Sequence, residues 1–124
     1  MSEHLEQCTV IEWARLNEER YPALKLLFAV PNGGQRHKAV AVKLENEGVK
    51  SGVPDLILPV HHESGFIWDE YHGLAIEMKD GKNKPTENQQ WWLNELSRQG
   101  WYTMVCKSAD EAIMLLERYL EPTA

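Results

Sequence analysis

The chain lacks the raw material of several protein classes. It has 124 residues and two cysteines, Cys8 and Cys106. Each sits in an apolar-patterned segment without a second Cys or His at ligand spacing, so a disulfide framework and a zinc module are both excluded. Both thiols are expected to be reduced and in the core. No run of about 18 apolar residues occurs, and the opening MSEHLEQ has neither a basic start nor an apolar stretch. A membrane span and a secretory signal are therefore not expected, and a cytoplasmic location is. Basic excess is also missing, for the formal net charge is −6. A uniformly basic nucleic-acid surface is ruled out. Internal repeats and low-complexity segments are absent, and with 43% hydrophobic and 26% charged residues the composition is that of one folded domain, residues 1–124.

What is present alternates between helical and extended patterns. Residues 3 to about 20 carry Leu5, Cys8, Val10, Ile11, Trp13, Ala14 and Leu16 as a helical stripe behind a possible Ser2 cap, ended by Tyr21-Pro22. Leu24 to Val30 reads as a strand leading into Pro31-Asn32-Gly33-Gly34. Gln35 to Glu47 suits a helix stopped by Gly48, although the alternation from Val40 to Leu44 leaves a strand open. Residues 53–60 and 73–79 read as strands, joined by a hairpin-like connection from His61 to His72. His61 and His62, adjacent in an extended segment, point to opposite faces and suit a loop better than a metal pair. Thr86 with Gln89 has capping-box spacing, followed by the stripe Trp92, Leu93 and Leu96 up to Gly100. A strand over 101–107 and a helix capped by Ser108 complete a mixed α/β order.

Two acids stand out against this pattern. Asp55 opens an otherwise apolar strand and Glu77 interrupts another, where an unpaired carboxylate costs on the order of several kcal/mol. Lys79 shares a strand face with Glu77, because side chains alternate with period two. Two carboxylates can hold a hard cation through oxygen, and a lysine adds positive charge near an attacking water. That set suits phosphodiester hydrolysis. The competing reading is an ordinary charge pattern on a solvated face with Asp55 capping a turn, and a lone E-x-K would not displace it.

The segments Asn32-Gly33-Gly34, Gly48-Val49-Lys50-Ser51-Gly52-Val53-Pro54-Asp55-Leu56, Ile76-Glu77-Met78-Lys79 and Thr86-Glu87-Asn88-Gln89, in this order, resemble the VRR-NUC family, a branch of the PD-(D/E)xK nucleases. The resemblance spans nearly the whole chain. It implies a restriction-endonuclease-like mixed sheet flanked by helices, Mg²⁺ or Mn²⁺ dependence, and action on DNA. It further implies that Asp55 and Glu77 bind the metal with the Met78 carbonyl, that Lys79 assists the attack of water, and that Gln89 helps hold water or a phosphate. Gln90 is its neighbouring alternative, and a plain capping role for Gln89 stays open.

The family also places a glutamate on the first helix. Glu6 is preferred, directly before Val10-Ile11, with Glu3 and Glu12 as alternatives. Asn32, Gly33 and Gly34 would bring backbone N–H groups to a phosphate, and Arg36, Lys38, Lys50, Lys82 and Lys84 would flank the scissile bond. Trp92 and Trp101 read as core anchors. Trp91 reads as exposed, suited to stacking on a base or to a dimer contact. Small stand-alone members, common in phages, resemble Holliday-junction resolvases, which implies a homodimer acting on branched or duplex DNA. The alternatives are a non-catalytic DNA-binding or scaffold domain that kept the fold, and a phosphohydrolase acting on RNA or nucleotides.

Overall fold

The computed structural model describes residues 2–31, 37–63 and 70–121. Helix α1 spans Glu3–Leu16, and the Ser2 hydroxyl caps it by accepting from the Leu5 amide at 3.2 Å. Glu3 and Glu6 lie in its first turn, where negative charge suits the helix dipole. It stops at Leu16, the last residue of the apolar stripe and short of the expected end near residue 20. Asn17 turns its side-chain amide back onto the Trp13 carbonyl at 2.8 Å, closing the last turn.

The expected strand from Leu24 to Val30 is mostly something else. Pro22 starts a 3-10 helix over Pro22–Leu26, its fixed φ suiting a first helical position, and only Phe28–Ala29 (β1) forms a strand. The open choice for the next segment resolves as helix α2, Lys38–Asn46. None of its residues is buried, and Gly48 follows at φ +99°.

Strand β2 is Leu56–Leu58. A small antiparallel pair follows, β3 (His62–Glu63) with β4 (Glu70–Tyr71), which realises the hairpin-like connection. His62 belongs to this pair and not to a loop. Its Nδ1 lies 2.7 Å from the Tyr119 carbonyl.

Strand β5 is Leu74–Met78, helix α3 is Glu87–Arg98, strand β6 is Tyr102–Cys106 and helix α4 is Ala109–Leu120. The four-stranded sheet has the order β1-β2-β5-β6, antiparallel except for the β5/β6 pair. A parallel neighbour requires a crossover, and α3 supplies it. The sheet is thus mixed, in an α/β fold.

The core gathers Leu56, Leu58, Leu74, Ile76, Met78 and Cys106 from the sheet with Val10 and Ala14 of α1 and Ala112 and Leu116 of α4. Alternation sends the intervening residues, Ala75 and Glu77 among them, to the opposite face. Gly73 lets the sheet and the following chain approach closely, since a Cβ there would lie 2.4 Å from the Trp101 ring. Cys106 is buried as expected, and burial pushes its thiol up to about 12. Cys8 is not. It is exposed, 3.7 Å from His4 Nε2, because the buried stripe of α1 is only Val10 and Ala14 wide and Leu5 and Leu16 also face outward. Among the described residues no helix is long and apolar enough to cross a membrane.

Candidate active site

The site is built where β2 begins and β5 ends. The β2/β5 register pairs Leu56 with Ile76, so one step further Asp55 stands opposite Glu77. Opposed residues of an antiparallel pair share a face. Three contacts fix Asp55 and its surroundings. Its carbonyl accepts from the Val30 amide at 2.8 Å, prolonging the β1/β2 pairing. Its carboxylate Oδ2 accepts from the Met78 amide at 2.8 Å. The preceding Pro54 is fully buried, which anchors the chain entering the strand.

Glu77 is 1% exposed, the buried charged residue of the described chain. Its Oε2 lies 3.9 Å from Lys79 Nζ, at the outer limit of an ion pair, and its Oε1 is buried with no hydrogen-bond partner. Lys79 sits just past β5, held by its amide donating to the Cys106 carbonyl at 2.9 Å. Desolvation is the largest influence on Glu77, followed by a hydrogen bond with Asp55 and then by the Asp55 charge. Together they push its carboxyl up to about 9, against the opposing pull of Lys79, and the charge of Glu3 adds to the rise. One lysine at that distance does not balance a buried acid with a second, half-buried acid beside it. The pair is short of positive charge.

An orphaned carboxylate oxygen beside a second carboxylate is what a divalent cation satisfies. Among the described residues no three His, Cys, Asp or Glu side chains converge closely enough to hold an ion. Two acids still suffice for Mg²⁺, which commonly binds through one or two carboxylates and keeps several waters. The residues present fit the ion.

Of the first-helix glutamates, the expected Glu6 has one carboxylate oxygen engaged by another helix. Glu6 Oε2 accepts from the Ala109 amide at 2.6 Å, so this carboxylate satisfies an unpaired N–H at the start of α4 and meets the positive end of its dipole. Glu3, half-buried one turn earlier, is the acid whose charge reaches Glu77. Glu12 is exposed.

Gln89 completes a capping box. Its Oε1 accepts from the Thr86 amide at 2.9 Å, and the Thr86 hydroxyl accepts from the Gln89 amide at 3.2 Å. Gln90 is exposed and donates to Asn94 within the same helix. Lys38, Lys50, Lys82 and Lys84 are all exposed. Asn32, Gly33, Gly34 and Arg36 lie outside the described residues.

Sequence reasoning passed over the residues that hold the Asp55 loop. Asn88 Nδ2 donates to the Ser51 carbonyl at 2.8 Å and to the Ser51 hydroxyl at 2.9 Å, and Trp92 Nε1 donates to the same carbonyl at 3.1 Å. Gly52, at φ +90°, lets the loop lie against Asn88, because a Cβ would come within 2.7 Å of the Asn88 amide nitrogen. The loop is thereby pinned to the first turns of α3. The signal was visible as Asn88 inside Thr-Glu-Asn-Gln and Gly52 inside Ser-Gly-Val-Pro-Asp, but nothing local pairs the two. Beyond the strand, Lys107 Nζ donates to the Asn83 carbonyl and ties the 80–85 loop to β6.

Comparison with known proteins agrees with this geometry. The VRR-NUC domain model matches residues 2–110. A solved structure titled "VRR_NUC domain protein" superposes with a TM-score of 0.77 at 27% sequence identity, covering 100% of this chain and 93% of the other. No curated protein matches the chain. With the matched segment running from before α1 into α4 and enclosing Asp55, Glu77 and Lys79, the chain belongs to the VRR-NUC domain family, whose function is of the DNA-processing nuclease type.

Proposed function

We propose that this chain is a divalent-metal-dependent deoxyribonuclease whose catalytic centre is Asp55, Glu77 and Lys79, and that it hydrolyses phosphodiester bonds of branched or duplex DNA as a homodimer. The observation that carries this reading is the buried, partnerless Glu77 Oε1 beside Asp55. Asp55 and Glu77, with the Met78 carbonyl, would hold Mg²⁺ or Mn²⁺, and Glu3 is the first-helix acid nearest in its influence on the pair. When bound, the cation supplies Lewis-acid polarisation of the phosphoryl group and acidifies the attacking water.

The chain's own groups do the rest. The Met78 amide orients the Asp55 carboxylate, leaving its other oxygen for a ligand. Lys79, nearly buried beside Glu77, presents an ammonium that offsets negative charge growing on the phosphoryl oxygens as water adds to phosphorus and the P–O bond to the leaving strand breaks. Burial of Glu77 keeps bulk water from screening its charge. Two copies would set two such centres on two strands.

The test is incubation with supercoiled, linear and four-way-junction DNA and with RNA, each with Mg²⁺, Mn²⁺ or EDTA. Cutting of DNA that needs the metal and falls at least about 100-fold in Lys79→Ala and Asp55→Asn is the expected result. Undiminished cutting by both variants, or no cutting of any substrate with either metal, sinks the reading.

A further inference from the structure

A cleft of ≈ 470 Å³ lies between the end of α2 and the start of α3, lined by Glu45, Gly48, Lys50, Ser51, Asn88 and Trp91, with Val49 and Trp92 completing its walls. Trp91 is 54% exposed, an unusual amount for so large an apolar side chain. It is also held in place. Its ring meets the Trp92 ring edge-on at 5.5 Å and 90°, and Trp92 is itself anchored by its N–H to the Ser51 carbonyl. A fixed, exposed indole is a low-entropy contact surface.

The surroundings of that ring decide its partner. Lys50, Ser51, Asn88 and Glu45 are polar, and only Val49 and Trp92 add apolar surface. A protein partner covering an aromatic hot spot would be met by an apolar surround that excludes water. Here the exposed ring, with Val49 and Trp92 beside it, lies among hydrogen-bonding groups and a lysine, which is the composition of a nucleobase site. Glu45 can accept from the amino edge of a base and would repel a phosphate, whereas exposed Lys50 attracts one. Position completes the argument. Ser51 lies four residues before Asp55, so at most roughly 14 Å of extended chain separates them, within about four stacked nucleotide steps.

We propose that Trp91 is a stacking platform for an unpaired nucleobase of the DNA strand that adjoins the scissile bond, with Lys50 on its phosphate. The inference rests on the nuclease reading and narrows its substrate to DNA with a single-stranded segment next to the site of cutting.

The experiment uses the full chain carrying Asp55→Asn, which binds without cutting, and measures its affinity for a blunt duplex and for the same duplex with a single-stranded tail in either polarity. A preference for one tailed DNA is expected. Trp91→Ala should reduce that preference by about 5- to 150-fold, the range of one base–aromatic stack, and Trp91→Phe should keep most of it. Lys50→Ala should lower the salt dependence of tailed-DNA binding by close to one phosphate contact. Melting temperatures of the variants verify folding. An unchanged preference in Trp91→Ala, an equal loss with Trp91→Phe, or a shift of Trp91→Ala to a smaller oligomer would each overturn the proposal, the last by making the ring a contact between copies. Cutting by the unsubstituted chain is scored separately. If it cuts nothing yet prefers tailed DNA through Trp91, the nuclease reading fails and the stacking site stands.

Discussion

Glu77 carries the largest unresolved electrostatic cost in the described chain, and its titration follows from that. Its carboxyl is raised to about 9 by burial and by Asp55. In the unfolded chain it would titrate near 4.5. A group raised on folding contributes stability that is complete below the unfolded value and is lost as pH climbs to the folded one. The metal-free protein should therefore lose melting temperature between pH 4.5 and pH 9, and Glu77→Gln should remove most of that loss. Thermal melts in EDTA across this window check it. A flat profile in the parent would show that Glu77 is not desolvated beside Asp55. Removing the acid should also reduce cutting by at least about 100-fold, so the same substitution raises stability at alkaline pH and abolishes function.

The two helix-one glutamates separate at the same scale. Glu6→Gln loses a charge-assisted cap on α4 and should cost about 1 kcal/mol of stability with little effect on metal affinity. Glu3→Gln should leave stability nearly unchanged while altering metal affinity or cleavage rate. Urea titrations paired with cleavage rates distinguish them, and the reverse pattern would restore Glu6 to the site.

At the scale of elements, the site depends on one loop being held to one helix. Gly52→Ala places a methyl against Asn88 at a backbone angle that side chains avoid, and Asn88→Ala removes two hydrogen bonds to Ser51. Each should destabilise by about 1–3 kcal/mol and reduce cleavage more than stability loss alone explains, since Asp55 is carried by the loop. Cleavage measured well below the melting temperature tests this.

These contacts also show why the sequence is legible in some places and opaque in others. Asp55, Glu77 and Lys79 could be read because acids interrupting apolar runs are conspicuous and strand alternation is strictly local. Thr86, Gln89 and Ser108 could be read because caps span three residues. The strand expected over Leu24–Val30 could not, because Pro22 favours a helical turn that apolar content does not reveal. Cys8 was placed in the core since a helical stripe does not state its own width. The contact of Glu6 with the start of α4 could not be read either, since its partner lies more than a hundred residues away in sequence.

For the molecule as a whole, a net charge of −6 means that DNA affinity depends on a few local cations against an unfavourable background. Lys38, Lys50, Lys82 and Lys84 are exposed and available for this. Binding should weaken steeply with salt, and alanine at any lysine that touches a phosphate should reduce the log–log slope by about 0.9. Because the acid pair is itself part of the negative charge, divalent cations should strengthen DNA binding more than an equal ionic strength of sodium does.

The claim beneath all of this is that Asp55 and Glu77 form a cation site completed by a metal. Titration calorimetry with Mn²⁺, run at pH 7 in two buffers of different ionisation enthalpy, addresses it without reference to any substrate. One Mn²⁺ per chain should bind, with release of a proton from the acid pair, and both binding and proton release should disappear in Glu77→Gln. Equal Mn²⁺ binding by the parent and by Glu77→Gln, or none by the parent, would contradict the account.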